Sequence, residues 1–133
     1  MILVTGGAYQ GKQKIARALW EQQRMEWDAI EPVIVAGDIA DQEQLMRAEI
    51  IVQYHLWMRR VIEEGTDPYP FVEQLLTENP RAVLTLDLVG CGVVPIDAFD
   101  RKYRETVGRI GCLLAERAKE VYLVTCGIAR RIK

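Results

Sequence analysis

Met1-Ile2-Leu3-Val4-Thr5-Gly6-Gly7-Ala8-Tyr9-Gln10-Gly11-Lys12-Gln13 opens the chain and decides how the rest is read. Met1 to Thr5 is a short apolar run of strand-forming residues, and a helical pattern begins at Lys14. Between them stands G-x-x-x-x-G-K, the P-loop pattern in its strand–loop–helix context. Each part has a chemical reason. Glycine lets backbone N–H groups converge on phosphate oxygens that a Cβ would obstruct. The helix that follows turns its unsatisfied N–H groups and positive dipole end to the same anion. Lys12 adds a compact charge for the β- and γ-phosphates. Gly6, Gly7, Ala8, Tyr9, Gln10, Gly11, Lys12 and Gln13 are therefore the candidate nucleotide-binding residues. Gln13 breaks the pattern, because a Ser or Thr hydroxyl for Mg²⁺ is usual there.

The chain has 133 residues, enough for a single domain spanning 1–133 around one core. Half the residues are hydrophobic and the net charge is −2, so no basic field points to nucleic acid. Cys91, Cys112 and Cys126 lack metal-type spacing and read as free thiols of a reducing, cytoplasmic compartment. The N-terminal strand carries no basic leader, so no signal peptide is expected. No apolar run reaches membrane-spanning length.

The remaining pattern alternates. Residues 11–27 read as an amphipathic helix with Ile15, Ala16, Leu19 and Met25 inward. Pro32 to Ala36 reads as a buried strand ending at Gly37-Asp38. A long helix is expected from Asp41 to about Glu64, and Gly65 stops it. Phe71 to Thr77 is a short helix and Ala82 to Leu88 a strand. Gly90-Cys91-Gly92 is a turn, and Asp97 opens a helix of about twenty residues. Val121 to Cys126 is the last strand, and Arg130-Arg131-Ile132-Lys133 a basic tail. The expected fold is α/β: a three-layer P-loop-type domain, with a mostly parallel sheet of about four to five strands and helices on both faces. Ligands bind such sheets beyond the carboxyl ends of the strands, where the P-loop, Asp38 and Asp87 all fall.

His55 is the single histidine and falls in the middle of the expected long helix. At 100° per residue it shares a stripe with Leu45, Ala48, Ile51, Val52, Leu56, Arg59 and Ile62. Ile50, Tyr54, Trp57 and Val61 form a second stripe, which implies a sandwiched helix in the core or between subunits. Arg59, four residues on, can meet His55 and steady a phosphate at the imidazole. A core histidine bonded to a carbonyl, with Arg59 reaching solvent, fits the same pattern. Asp87 stands at a strand end beside the P-loop, where such proteins hold Mg²⁺; a turn-forming Asp is the alternative. Arg101, Arg104 and Arg109 decorate the helix after the glycine turn. Gly108 and Gly111 suggest close packing there.

Several motifs, in one order, resemble the adenosylcobinamide kinase / adenosylcobinamide-phosphate guanylyltransferase family of cobalamin biosynthesis. Residues 1–12 resemble its opening. Val89-Gly90-Cys91-Gly92-Val93-Val94-Pro95 resembles its V-G-x-G-[IV]-V-P turn, and Tyr103-Arg104-Glu105-x-x-Gly108-Arg109 its F-R-D-x-x-G-R helix. Glu120 to Ile128 resembles its last strand. The resemblance covers residues 1–13 and about 82–133. It implies phosphorylation of a cobinamide with ATP or GTP, then GMP transfer through a guanylyl-histidine. That histidine belongs to an H-x-x-x-R element on a helix after the second strand, which His55-x-x-x-Arg59 resembles. Lys12, His55 and Arg59 are thereby the catalytic candidates, Asp87 the Mg²⁺ candidate, and a homo-oligomer with shared sites is implied.

The chain also departs from the family. Leu86-Asp87-Leu88 stands where the family has [ST]-N-E, and Gly111-Cys112 replaces N-Q. No counterpart is expected for a middle segment whose extra strand ends in a D/E-C metal motif. A nucleotide-binding protein without catalysis is the alternative, and Gln13 and Leu88 are the residues that favour it.

Overall fold

The computed structural model describes residues 1–24, 30–90 and 94–133. Its elements are β1 (Ile2–Gly6), α1 (Lys12–Gln23), β2 (Ile34–Ala36), α2 (Gln42–Arg47), β3 (Ile50–Val52), α3 (Tyr54–Glu63), α4 (Tyr69–Glu78), β4 (Val83–Asp87), α5 (Ala98–Arg117), β5 (Glu120–Thr125) and β6 (Ile128–Arg131). The expected inward side chain Met25 and the Cys91-Gly92 part of the glycine turn lie outside the described residues.

One six-stranded sheet runs β2-β3-β4-β1-β5-β6. Its first five strands are parallel, and β6 is antiparallel to β5. Alternation along β1 shows how the layers form, because successive side chains leave a strand on opposite faces. Ile2 and Val4 pack with Ala16, Leu19 and Trp20 of α1. Leu3 packs on the other face with Tyr54, Met58, Val72, Ile110 and Leu114, drawn from α3, α4 and α5. Burying one such large apolar side chain contributes about 1.5–3 kcal/mol. The three-layer α/β architecture is as expected.

Among the described residues the sheet has six strands, where about four to five are expected. The helix expected from Asp41 to Glu64 is two helices with a strand between them. Asp41 caps α2, accepting the Gln44 N–H at 2.8 Å. Ala48 is already extended, and Ile50-Ile51-Val52 is a fully buried parallel strand. Such a strand is apolar on both faces and so has no period of its own, which hid it inside a helical count. The middle segment therefore does hold a strand. α3 buries Tyr54, Trp57, Met58, Val61 and Ile62 within this chain, so its apolar surface calls for no second subunit.

The expected basic tail is likewise structured. Cys126 and Gly127, with φ of 49° and 77°, form a two-residue turn of the kind that matches strand twist. Arg130 and Arg131 then pair with Leu123 and Tyr122. β2, expected to be buried, is an edge strand, with Ile34 46% exposed. At the far end of the chain's last helix the reading holds: Asp97 caps α5 by accepting the Phe99 and Asp100 N–H groups. Of the two helical glycines, only Gly111 packs closely, against Leu86; a Cβ at Gly108 would meet open space.

Candidate functional site

Parallel pairing sets the carboxyl ends of the strands side by side. Register puts Gly6 opposite Asp87 on one flank and Val124 on the other. A Cβ at Gly6 would run into the Val124 carbonyl oxygen, so only glycine lets β1 leave the sheet here and turn into the loop. The loop closes at Gly11, whose φ of 86° makes it a left-handed cap for α1. No side chain caps α1 and no acid stands in its first turn, which leaves that helix start open to an anion.

The loop is also held from outside. Gln10 accepts the Gly127 N–H on its carbonyl at 3.0 Å and the Cys126 N–H on Oε1 at 2.6 Å. The β5–β6 turn, unread in the sequence, thus braces the P-loop.

Lys12 is 6% exposed despite its charge. A buried ammonium needs partners, and among the described residues it has two. It donates to the Gly7 carbonyl and pairs with Asp87 Oδ1 at 2.9 Å. The other carboxylate oxygen, Oδ2, lies 3.8 Å from His55 Nε2. The Asp87 backbone N–H points at His55 Nδ1 at 3.4 Å. A backbone N–H can only donate, so the neutral ring accepts at Nδ1 and carries its proton on Nε2, toward the carboxylate. Burial pushes the imidazole below its usual pKa; Asp87 pulls it up and Lys12 pushes it down further. Tyr103 donates its hydroxyl to the His55 carbonyl at 3.0 Å, and burial raises that phenol to about 12.

A cavity of about 530 Å³ joins these groups, lined by Ala8 to Gln13, Gln53, His55, Leu56, Thr85 and Asp87. Lys12, Asp87 and His55 come together on it. Arg59 does not line it: its guanidinium lies over the Phe99 and Tyr103 rings and pairs with Glu63 and Asp100. Asp38 sits in the exposed turn after β2. Arg101 holds the Pro95 and Ile96 carbonyls, and Arg109 pairs with Glu105.

His55 is not mid-helix. It lies in the first turn of α3, directly after β3, and that helix follows the third strand in the chain rather than the second. The start of α3 therefore opens on the same cavity as the start of α1, and two positive dipole ends converge there. Gln53 and Thr85 went unnoticed in the sequence. Gln53 caps α3 with φ of 55°, and its N–H is held by Thr85 Oγ1 at 2.8 Å. The signal was the run Ile50-Ile51-Val52, whose polar successor ends a strand.

Comparison with known proteins adds a line that does not rest on the P-loop, because the match starts beyond it. Residues 26–132 match the CobU family, described as cobinamide kinase / cobinamide phosphate guanyltransferase. The match includes the middle segment that the motif resemblance had left out. Two curated relatives carry the name bifunctional adenosylcobalamin biosynthesis protein CobU, one from Escherichia coli (strain K12) and one from Salmonella typhimurium (strain LT2). Each is 42% identical over 53 residues, which is 40% of this chain and 29% of the relative. The alignment thus spans under a third of the length of these relatives. With a family match over most of its length, the chain belongs to the cobinamide kinase / cobinamide phosphate guanyltransferase (CobU) family.

Proposed function

We propose that this chain is a nucleotide-dependent transferase of adenosylcobalamin biosynthesis, and that its P-loop binds GTP or ATP for phosphoryl transfer to a cobinamide hydroxyl. The observation that carries the reading is Lys12, buried on the cavity wall between an uncapped helix start and Asp87. A triphosphate over the loop would draw Lys12 and the N–H groups of residues 7–13 onto its oxygens. The acceptor hydroxyl oxygen then bonds to the terminal phosphorus and releases its proton to solvent, while the bridging P–O bond breaks and nucleoside diphosphate leaves with that bond's electron pair. Lys12 and the loop amides hold the charge that gathers on the bridging oxygen.

Among the described residues no group of three His, Cys, Asp or Glu side chains could hold a metal ion. One carboxylate with phosphate oxygens and water is still a normal Mg²⁺ environment. Asp87 is the carboxylate in reach, once Lys12 has moved from Oδ1 to phosphate. Mg²⁺ there would neutralise phosphate charge. Gln13 is exposed and brings no hydroxyl to the ion.

Guanylyl transfer through His55 is a second reading, favoured by one observation: the imidazole lines the cavity and burial keeps it neutral. In this geometry Nδ1 is taken by a backbone N–H and Nε2 bears the proton, so attack on phosphorus requires the ring to turn or shed that proton. Arg59 would act in this reading only after leaving Phe99 and Tyr103. A nucleotide-binding protein without catalysis is the third reading, and Gln13 and the exposed Leu88 support it. Homo-oligomerisation rests on the family resemblance, and light scattering on the eluted protein measures it. Cys112 and Cys126 are free thiols, in keeping with a cytoplasmic location. No described helix is long and apolar enough to cross a membrane.

The test uses two labels. Incubation with cobinamide and γ-labelled ATP or GTP should yield labelled cobinamide phosphate. Incubation with α-labelled GTP alone should yield an acid-labile protein adduct only if His55 is the nucleophile, and His55→Asn should then abolish it. Tight nucleotide binding with neither product supports the non-catalytic reading.

A further inference from the structure

Tyr9 stands fully exposed at the tip of the P-loop, on the rim of the cavity. A large aromatic ring in water at a binding site buries nothing in the free protein. Its backbone is also costly: φ is 58°, a left-handed conformation that bulky side chains avoid and glycine adopts freely. Strain of this kind persists where neighbouring structure imposes it and is concentrated at ligand clamps. Here the imposing structure is visible. Gln10, the next residue, is pinned to the β5–β6 turn through both its carbonyl and its side chain. The loop tip is therefore fixed without any help from the Tyr9 ring.

The cavity has a direction. Asp87, His55 and Gln53 stand at the strand ends, Lys12 lies between, and Tyr9 and Gln10 form the loop tip. Lys12, the charge for the β- and γ-phosphates, stands on Asp87, so the terminal end of the triphosphate belongs beside Asp87. Laid along the loop amides, the chain of phosphates then sends the nucleoside out past the tip.

We propose that Tyr9 is the nucleobase platform of the site, its ring stacking on the base of the bound nucleoside triphosphate. This rests on the P-loop reading above. Both purines present a π-face to a flat ring, so the platform serves GTP and ATP alike.

Calorimetric affinities for GTP, ATP and inorganic tripolyphosphate, in wild type, Tyr9→Phe, Tyr9→Ala and Tyr9→Gly, test it. Alanine and glycine should weaken both nucleotides by roughly 5- to 150-fold, the span seen when a base-stacking aromatic is removed. They should leave tripolyphosphate unchanged, and Tyr9→Phe should bind like wild type. Equal losses on tripolyphosphate would overturn the proposal, because the ring would then be shaping the loop. Unchanged nucleotide affinity in Tyr9→Ala, with wild type binding all three ligands, would overturn the proposal and leave the P-loop reading intact. Wild type binding none of the three would overturn both.

Discussion

Residues 6–13 and residues 42–63 meet at one cavity, the second stretch through Gln53, His55 and Leu56, yet one was legible in the sequence and the other was not. The loop is written in residue identity: Gly6 because Val124 leaves no room, Gly11 because φ is positive, and Lys12 as the buried cation where the pattern calls for one. The second region was read by period. Leu45, Ala48, Ile51, Val52, His55, Leu56 and Ile62 do fall on one helical stripe, and all but Leu56 are buried. Their burial comes from three separate elements. A period measures how often a side chain must be hidden, not whether the chain breaks between hidden positions. The breaks here are made by Ala48, extended at φ −72° and ψ 140°, and by Gln53, left-handed at φ 55°. Neither residue type announces that conformation.

Substitutions in the two regions sharpen this contrast. Ile51 is fully buried in β3, so Ile51→Ala should lower unfolding free energy by about 2–5 kcal/mol in urea titration. Ile34→Ala, on the half-exposed edge strand, should cost far less; equal losses would remove β3 from the core. On the P-loop side, Gln10→Ala deletes the bond from the Cys126 N–H. It should cost about 0.5–1.5 kcal/mol, and hydrogen exchange at Cys126 and Gly127 should speed up if the turn is the brace. Slow exchange in the variant would show that the turn holds itself.

Gln53→Gly separates the two descriptions of 42–63 by sign. Within a continuous helix the change costs about 1 kcal/mol. At a left-handed cap it relieves a penalty of about 1–2 kcal/mol against glycine's entropy, for a net effect near zero or slightly stabilising. Thermal unfolding with a clear loss would restore the helix. Gln13→Ser should have the smallest effect on stability and act on metal linkage: nucleotide affinity should become more dependent on Mg²⁺ than in wild type. An unchanged dependence would show that Gln13 is not the missing contact.

What else stayed hidden has the same physical origin. β6 was read as a tail because Arg130 and Arg131 look solvated, which they are; it is their backbones that pair. The Cys126-Gly127 turn gives no glycine at its first position to betray it. Arg59 was placed with His55 by i, i+4 spacing, yet rings from α5 occupy its guanidinium. Spacing along one helix is silent about what a neighbouring helix offers. Asp87 was legible, since a carboxylate ending a strand next to a P-loop has few other neighbours. Its pairing with both Lys12 and His55 was not, because β3 had to exist before His55 could reach β4.

The central claim is that residues 6–13 form a working triphosphate site with Lys12 as its charge. Calorimetric titration of GTP into wild type and Lys12→Ala tests it most directly, with circular dichroism confirming that the variant is folded. Removing a charge-assisted contact to phosphate should weaken binding by about 1.5–3 kcal/mol. Wild-type affinity in a folded Lys12→Ala would contradict the claim.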